Sequence, residues 1–217
     1  MARRGGGNEA VRDMRDIPGR DGERVRIEEA AHRCLAASGG ESASVGEILA
    51  EAGLSTRAFY RHFGSKDDLL LAMFRRDAER FTAEMRDVTR AASSPTDALR
   101  RFVRATLRLT WDPRRRRNVL LMVCEQAVRA KGYGAERARV DAVADGLLAG
   151  ILQQGRERGE FPWVSDASAD AGCIGSLLRQ AFDEQLAAPS PDGARAAGDR
   201  VVDFALRALG GRGGLAR

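Results

Sequence analysis

Lysine is almost missing from this chain: Lys66 and Lys131 stand against thirty-four arginines. Histidine is as scarce, with only His32 and His62, which leaves few options for an imidazole-based active site. No apolar run approaches the roughly 20 residues that a bilayer-spanning helix needs. The opening MARRGGGNEAVRDMRDIPGR has no apolar middle of the kind that marks a secretory signal, so a cytoplasmic protein without membrane association is expected. The three cysteines, Cys34, Cys124 and Cys173, are odd in number and far apart. That excludes a disulfide framework and a CxxC metal site and leaves them as small core residues. G-x-S-x-G, P-loop, HExxH and dinucleotide fingerprints are all absent, so no enzyme, no cofactor and no metal are expected. Strand-like alternation of Val, Ile and Thr is also lacking.

What is there fits a soluble globular protein. Of 217 residues, 43% are hydrophobic and 31% charged, too apolar a balance for a wholly disordered chain. The net charge of +5 permits nucleic-acid binding without requiring it. Within residues 1–65 ten arginines meet ten acidic residues, so any positive potential there must be local.

Residues 1–20 mix Gly, Arg and Asp without periodicity and read as a flexible arm. From Arg24 the pattern turns helical, with Ile27, Ala30, Ala31, Cys34 and Leu35 on one face and Gly39 and Gly40 as the stop. Ser44-Val45-Gly46-Glu47 is a capping box, followed by the buried face Ile48, Leu49 and Ala52. Gly53 supplies a left-handed exit, Leu54 plugs the core, and Ser55 caps a short third helix. Steps of about 100° place Phe59 with Phe63 on one side of that helix and Arg57 with Arg61 on the other. Gly64 breaks it, and Ser65 caps a fourth helix running to about residue 88 through Leu70, Met73, Phe74, Phe81, Met85 and Val88.

The stretch ASVGEILAEAGLSTRAFYRHFGSKDDLLLAMF, residues 43–74, resembles the helix-turn-helix region of the tetracycline-repressor (TetR) family, and RIEEAAHRCLAASGG before it resembles that family's first helix. The resemblance covers about residues 24–75 and joins several separately required features: caps, turn, and apolar anchors behind a short reading helix. It implies an all-α fold of about nine helices, in which an N-terminal three-helix helix-turn-helix domain precedes a larger helical effector and dimerisation domain. The expected division is an arm at 1–20, a DNA-binding domain at 21–82 with its motif at about 44–63, a helical domain at 95–210 and a loose tail at 211–217.

By the same resemblance Ser44, Tyr60, His62 and Lys66 match positions that touch phosphates, contacts that position without specifying sequence. Ser55, Thr56, Arg57 and Arg61 complete the expected DNA-facing set. An arginine fork can read guanine, which makes Arg57 and Arg61 candidates for base edges. Two departures stand out: Gly40 where the family usually has an aromatic, and Arg57 where it often has Gly or Lys.

Beyond a linker at residues 91–95, helices are expected at about 95–111, 114–130, 134–158, 167–187 and 192–209, punctuated by Pro113, Gly159, Pro162, Pro189 and Pro191. The run Arg114 to Arg117 reads as a solvated helix face. Trp111, Met122 and Gln126 are candidates to line an effector cavity, with core packing as the alternative. Leu177, Leu178, Ala181 and Phe182, with Val201, Val202, Ala205 and Leu209, form broad apolar faces. The resemblance assigns these to a four-helix homodimer interface, against the alternative of an intrachain core.

The implied function is a ligand-responsive repressor that binds double-stranded operator DNA as a homodimer and releases it on binding a small-molecule effector. Its two reading helices would lie roughly 34–36 Å apart. The rival is a helical ligand-binding or interaction protein whose helix-turn-helix has lost operator binding.

Overall fold

The computed structural model describes residues 20–38 and 43–211. The expected arm, apart from Arg20, lies outside the described residues, as do Gly39, Gly40 and the tail beyond Gly211. Two compact units divide between Leu69 and Leu70.

The first unit holds α1 (Arg20–Ala37), α2 (Val45–Ala52), α3 (Thr56–His62) and the first turn of α4 (Lys66–Arg90). Its core is apolar at helical spacing: Ile27, Ala30, Ala31 and Leu35 from α1 meet Ile48 and Leu49 from α2 and Ala58, Phe59 and Phe63 around α3. Two arginines of α1 hold α2. Arg26 donates to the Ala52 carbonyl at 2.7 Å, satisfying an orphan carbonyl at the end of α2, and Arg33 pairs with Glu51 at 2.6 Å.

The second unit is also helical: the rest of α4, then α5 (Pro95–Trp111), α6 (Pro113–Met122), α7 (Glu125–Arg129), α8 (Tyr133–Glu157), α9 (Ala167–Ala187) and α10 (Pro191–Ala208). Starts are set by side-chain caps and N1 prolines. Ser94, Asp112 and Ser190 each accept a backbone N–H, and Pro95, Pro113 and Pro191 follow them, where the missing N–H would have had no partner. Helix α5 packs against α8, α9 and α10. Leu99, Phe102, Val103 and Leu107 thereby sit in one core with Leu148, Leu152, Phe161, Ile174, Val202 and Leu206. Gly155 of α8 lies under the Phe161 ring, where a Cβ would collide with it.

Among the described residues there are ten helices, because the segment expected as one helix over 114–130 divides at Val123 and Cys124, the second of which is extended. Leu121, Ala127 and Ala130 are all buried. On an unbroken helix Leu121 and Ala130 would point about 180° apart, so the break lets both face inward.

The expected dimer faces turn inward as well. Leu178, Ala181, Val201, Val202, Ala205 and Leu209 are buried in the core of their own chain, and Phe182 packs partly on it. These six residues thus take the intrachain-core alternative, against α5 and α8, while Leu177 and Phe182 remain half-buried. The outward face of α10 carries Phe204, 50% exposed.

Candidate nucleic-acid interface and ligand cavity

Helix α2 begins in a complete capping box. The Ser44 hydroxyl accepts the Glu47 N–H at 3.1 Å and the Glu47 carboxylate accepts the Ser44 N–H at 2.7 Å. The Ser44 backbone N–H, followed by its hydroxyl, holds the Glu47 carboxyl below the usual glutamate range. Gly53 (φ 62°, ψ 40°) then turns the chain, and the Leu54 N–H returns to the Leu49 carbonyl at 3.0 Å. One residue on, the Ser55 hydroxyl accepts the Ala58 N–H at 3.3 Å and opens α3.

Helix α3 is fixed from behind. Phe59 is fully buried, its ring 5.6 Å from that of Phe63, and Arg24 lies over the Phe63 ring at 5.5 Å. The free side presents Ser55, Thr56, Arg57 and Arg61, all exposed. Tyr60 is 63% exposed and meets the edge of Phe59. Lys66 opens α4 half-buried. His62 is placed differently from its neighbours. Its side chain is only 7% exposed, and Nε2 lies 2.9 Å from Glu23 Oε2. Arg61 Nη1 donates to the same oxygen at 2.9 Å. Glu23, on α1, was not singled out from the sequence; a carboxylate one helix away carries no local signal.

The second unit contains a cavity of about 280 Å³. Phe74, Phe81, Phe102, Val119, Met122 and Phe182 form much of its wall. Three arginine–carboxylate pairs also line it. Arg115 Nη1 reaches both Glu84 oxygens at 2.8 and 2.6 Å, Arg137 meets Asp141 at 3.3 Å, and Arg179 meets Asp145 at 3.0 Å. The hydrogen bond it donates to Glu84 raises the Arg115 pKa above its ordinary value. Of the three residues expected in such a wall, Met122 is present. Trp111 packs on the core instead, and Gln126 is half-buried in α7 and does not line the cavity. The sequence pattern puts Arg115 on a solvated face. In the structure Arg114 and Arg117 are exposed, Arg115 faces the cavity, and Arg116 donates to the Leu186 carbonyl at 3.3 Å.

Residues 27–73 match the family model for bacterial regulatory proteins of the tetR family. This N-terminal module is thus similar to that of the tetR family. The HTH-type transcriptional repressor AcnR of Corynebacterium glutamicum is 44% identical over 57 residues, 26% of this chain and 30% of AcnR. The match spans about a third of the length of the curated relatives. Solved structures of bacterial regulators extend the likeness in fold. A regulatory protein of the family from Rhodococcus is 25% identical with a TM-score of 0.63, covering 88% of this chain and 98% of its own. The regulator FadR of Bacillus subtilis, solved with stearoyl-CoA, is 18% identical with a TM-score of 0.68, covering 85% and 98%. The fold of the helical unit thus has its counterpart in whole solved regulators, while the match to the family model lies in the N-terminal module. Among the described residues no helix is long and apolar enough to cross a membrane.

Proposed function

We propose that this chain is a ligand-responsive transcriptional repressor that binds a pseudo-palindromic operator as a homodimer. The observation that carries the reading is α3: seven residues long, capped by Ser55, anchored by Phe59 and Phe63, with Thr56, Arg57 and Tyr60 left outward. A helix so held can enter a major groove by its N-terminal end. Arg57 and Thr56 are then placed for base edges, while Ser44, Tyr60 and Lys66 meet phosphates. His62 and Arg61 act together with Glu23, His62 as a support for α3 and Arg61 as a fork with donors to spare. Pairing of two copies uses the outward faces of α9 and α10, where Leu177 and Phe204 remain accessible.

The cavity supports the ligand-responsive part. Helix α4 is one uninterrupted helix from Lys66 to Arg90; it begins beside the DNA-facing set and lines the cavity through Phe74, Phe81 and Glu84. An effector favouring the DNA-free form would weaken operator binding by the same factor with which DNA weakens effector binding.

The test is selection of sites from random duplexes by the purified full chain, followed by affinity against salt. An enriched inverted repeat with a steep salt slope supports the operator-binding repressor. Absence of enrichment favours the ligand-binding rival.

A further inference from the structure

Every charged residue in the cavity wall has an opposite partner in the same wall. Besides Arg115 with Glu84, Arg137 with Asp141 and Arg179 with Asp145, Arg80 lies 3.5 Å from Asp77. Four arginines therefore face four carboxylates, and the formal charges of the wall cancel.

We infer that this cavity takes a compact, uncharged ligand, mostly hydrocarbon or aromatic, that carries a carbonyl or hydroxyl oxygen, and that the wall carboxylates serve to turn anions away. The inference rests on the reading of the cavity as the effector site.

An anion that takes the remaining donors of Arg115 comes close to the Glu84 carboxylate as well, so its attraction to one is offset by repulsion from the other. An ammonium beside Glu84, Asp141 or Asp145 meets the partner arginine in the same way. A neutral molecule leaves each pair intact and still gains from contact with the four phenylalanines Phe74, Phe81, Phe102 and Phe182. The polar selectivity comes from what the pairs leave over. A guanidinium has five N–H donors, and Glu84 occupies only Nη1 of Arg115, so donors remain for an acceptor oxygen, with Asn118 beside them. Size sets the other limit. At about 280 Å³ the cavity lies near the lower end of small-molecule pockets, about 300–1,000 Å³, and suits a compact ring system.

Three probes of nearly equal shape separate the cases: acetylnaphthalene, naphthoate and naphthylmethylammonium, titrated calorimetrically into the full chain at neutral pH. The ketone is expected to bind at least about tenfold more tightly than either ion. Glu84→Gln, which keeps the shape and frees Arg115, is expected to strengthen naphthoate binding by at least about tenfold and leave the ketone within about threefold. Asp145→Asn, which frees Arg179, serves as the second variant should the first not fold. Preference of the wild type for either ion overturns the inference. So does naphthoate binding that neither variant changes, or binding of none of the three probes. The failures separate: naphthoate that enters the wild-type chain and releases a selected operator leaves a ligand-responsive repressor with a different ligand class. A neutral-probe preference without any enriched operator leaves the cavity chemistry standing and removes the repressor.

Discussion

Glu23 Oε2 lies 2.9 Å from His62 Nε2. The same oxygen accepts from Arg61, so one carboxylate of α1 fixes the last turn of the helix that presents Arg57 and Tyr60. The hydrogen bond from His62, helped by the charge of Arg61, holds the Glu23 carboxyl below the ordinary glutamate range.

Glu23→Gln is expected to lower the melting temperature at neutral pH. A carboxyl depressed by folding contributes stability above its unfolded pKa and loses it as pH falls through the folded value. The gap between wild type and variant should therefore close as pH is lowered from about 7 to below about 4. Thermal unfolding over that range is the check, and a gap that persists in acid would remove the ionic part of the explanation.

Tyr60→Phe and Arg57→Ala are expected to differ in kind. Loss of the phenolic hydroxyl should weaken all duplexes alike, whereas loss of the Arg57 fork should relax preference at particular base pairs, by about 1–3 kcal/mol at each. Binding profiles over an operator library decide; identical profiles would dissolve the division of roles.

Gly53→Ala tests the turn. With φ at 62° the residue is left-handed, and the nearest atom to an added Cβ is Arg26 Nη2 at 3.4 Å, an ordinary contact. The cost is thus conformational, about 1–2 kcal/mol, and urea denaturation should register it without loss of helix content in the second unit.

Gly155→Ala tests packing. The Phe161 ring occupies the place of the new Cβ, and Phe161 is fully buried, so the ring must shift within the core. A loss of about 1–3 kcal/mol is expected from such overpacking. An unchanged denaturation midpoint would show that the 158–164 segment moves freely.

Local chemistry made the first unit legible. Caps at Ser44 and Ser55, the glycine turn and the Phe59–Phe63 pair each act within a few residues, so a linear reading finds them. Helix limits in the second unit were legible for the same reason, through Ser94-Pro95, Pro113 and Ser190-Pro191. What escaped depends on partners far along the chain. Glu23 acts on residues nearly forty positions away, and Arg115 faces inward because Glu84 of another helix receives it. The apolar faces of α9 and α10 were correctly found as apolar, but periodicity does not say whether a face meets its own chain or a copy. Here α5 takes most of it.

Asp112 closes α5 with its N–H and opens α6 with its carboxylate, accepting from Arg114 and Arg115. The corner has no spare residue, so loss of one residue after Pro113 would turn the following helix by about 100° against the cavity. In most sequences that would exchange a charged lining group for an unrelated side chain. Here the rotation substitutes one arginine of the Arg114–Arg117 run for another. The run thus gives this corner a redundancy against small deletions: charge opposite Glu84 is retained even where the fit is lost, and a shortened chain would fail first in its packing.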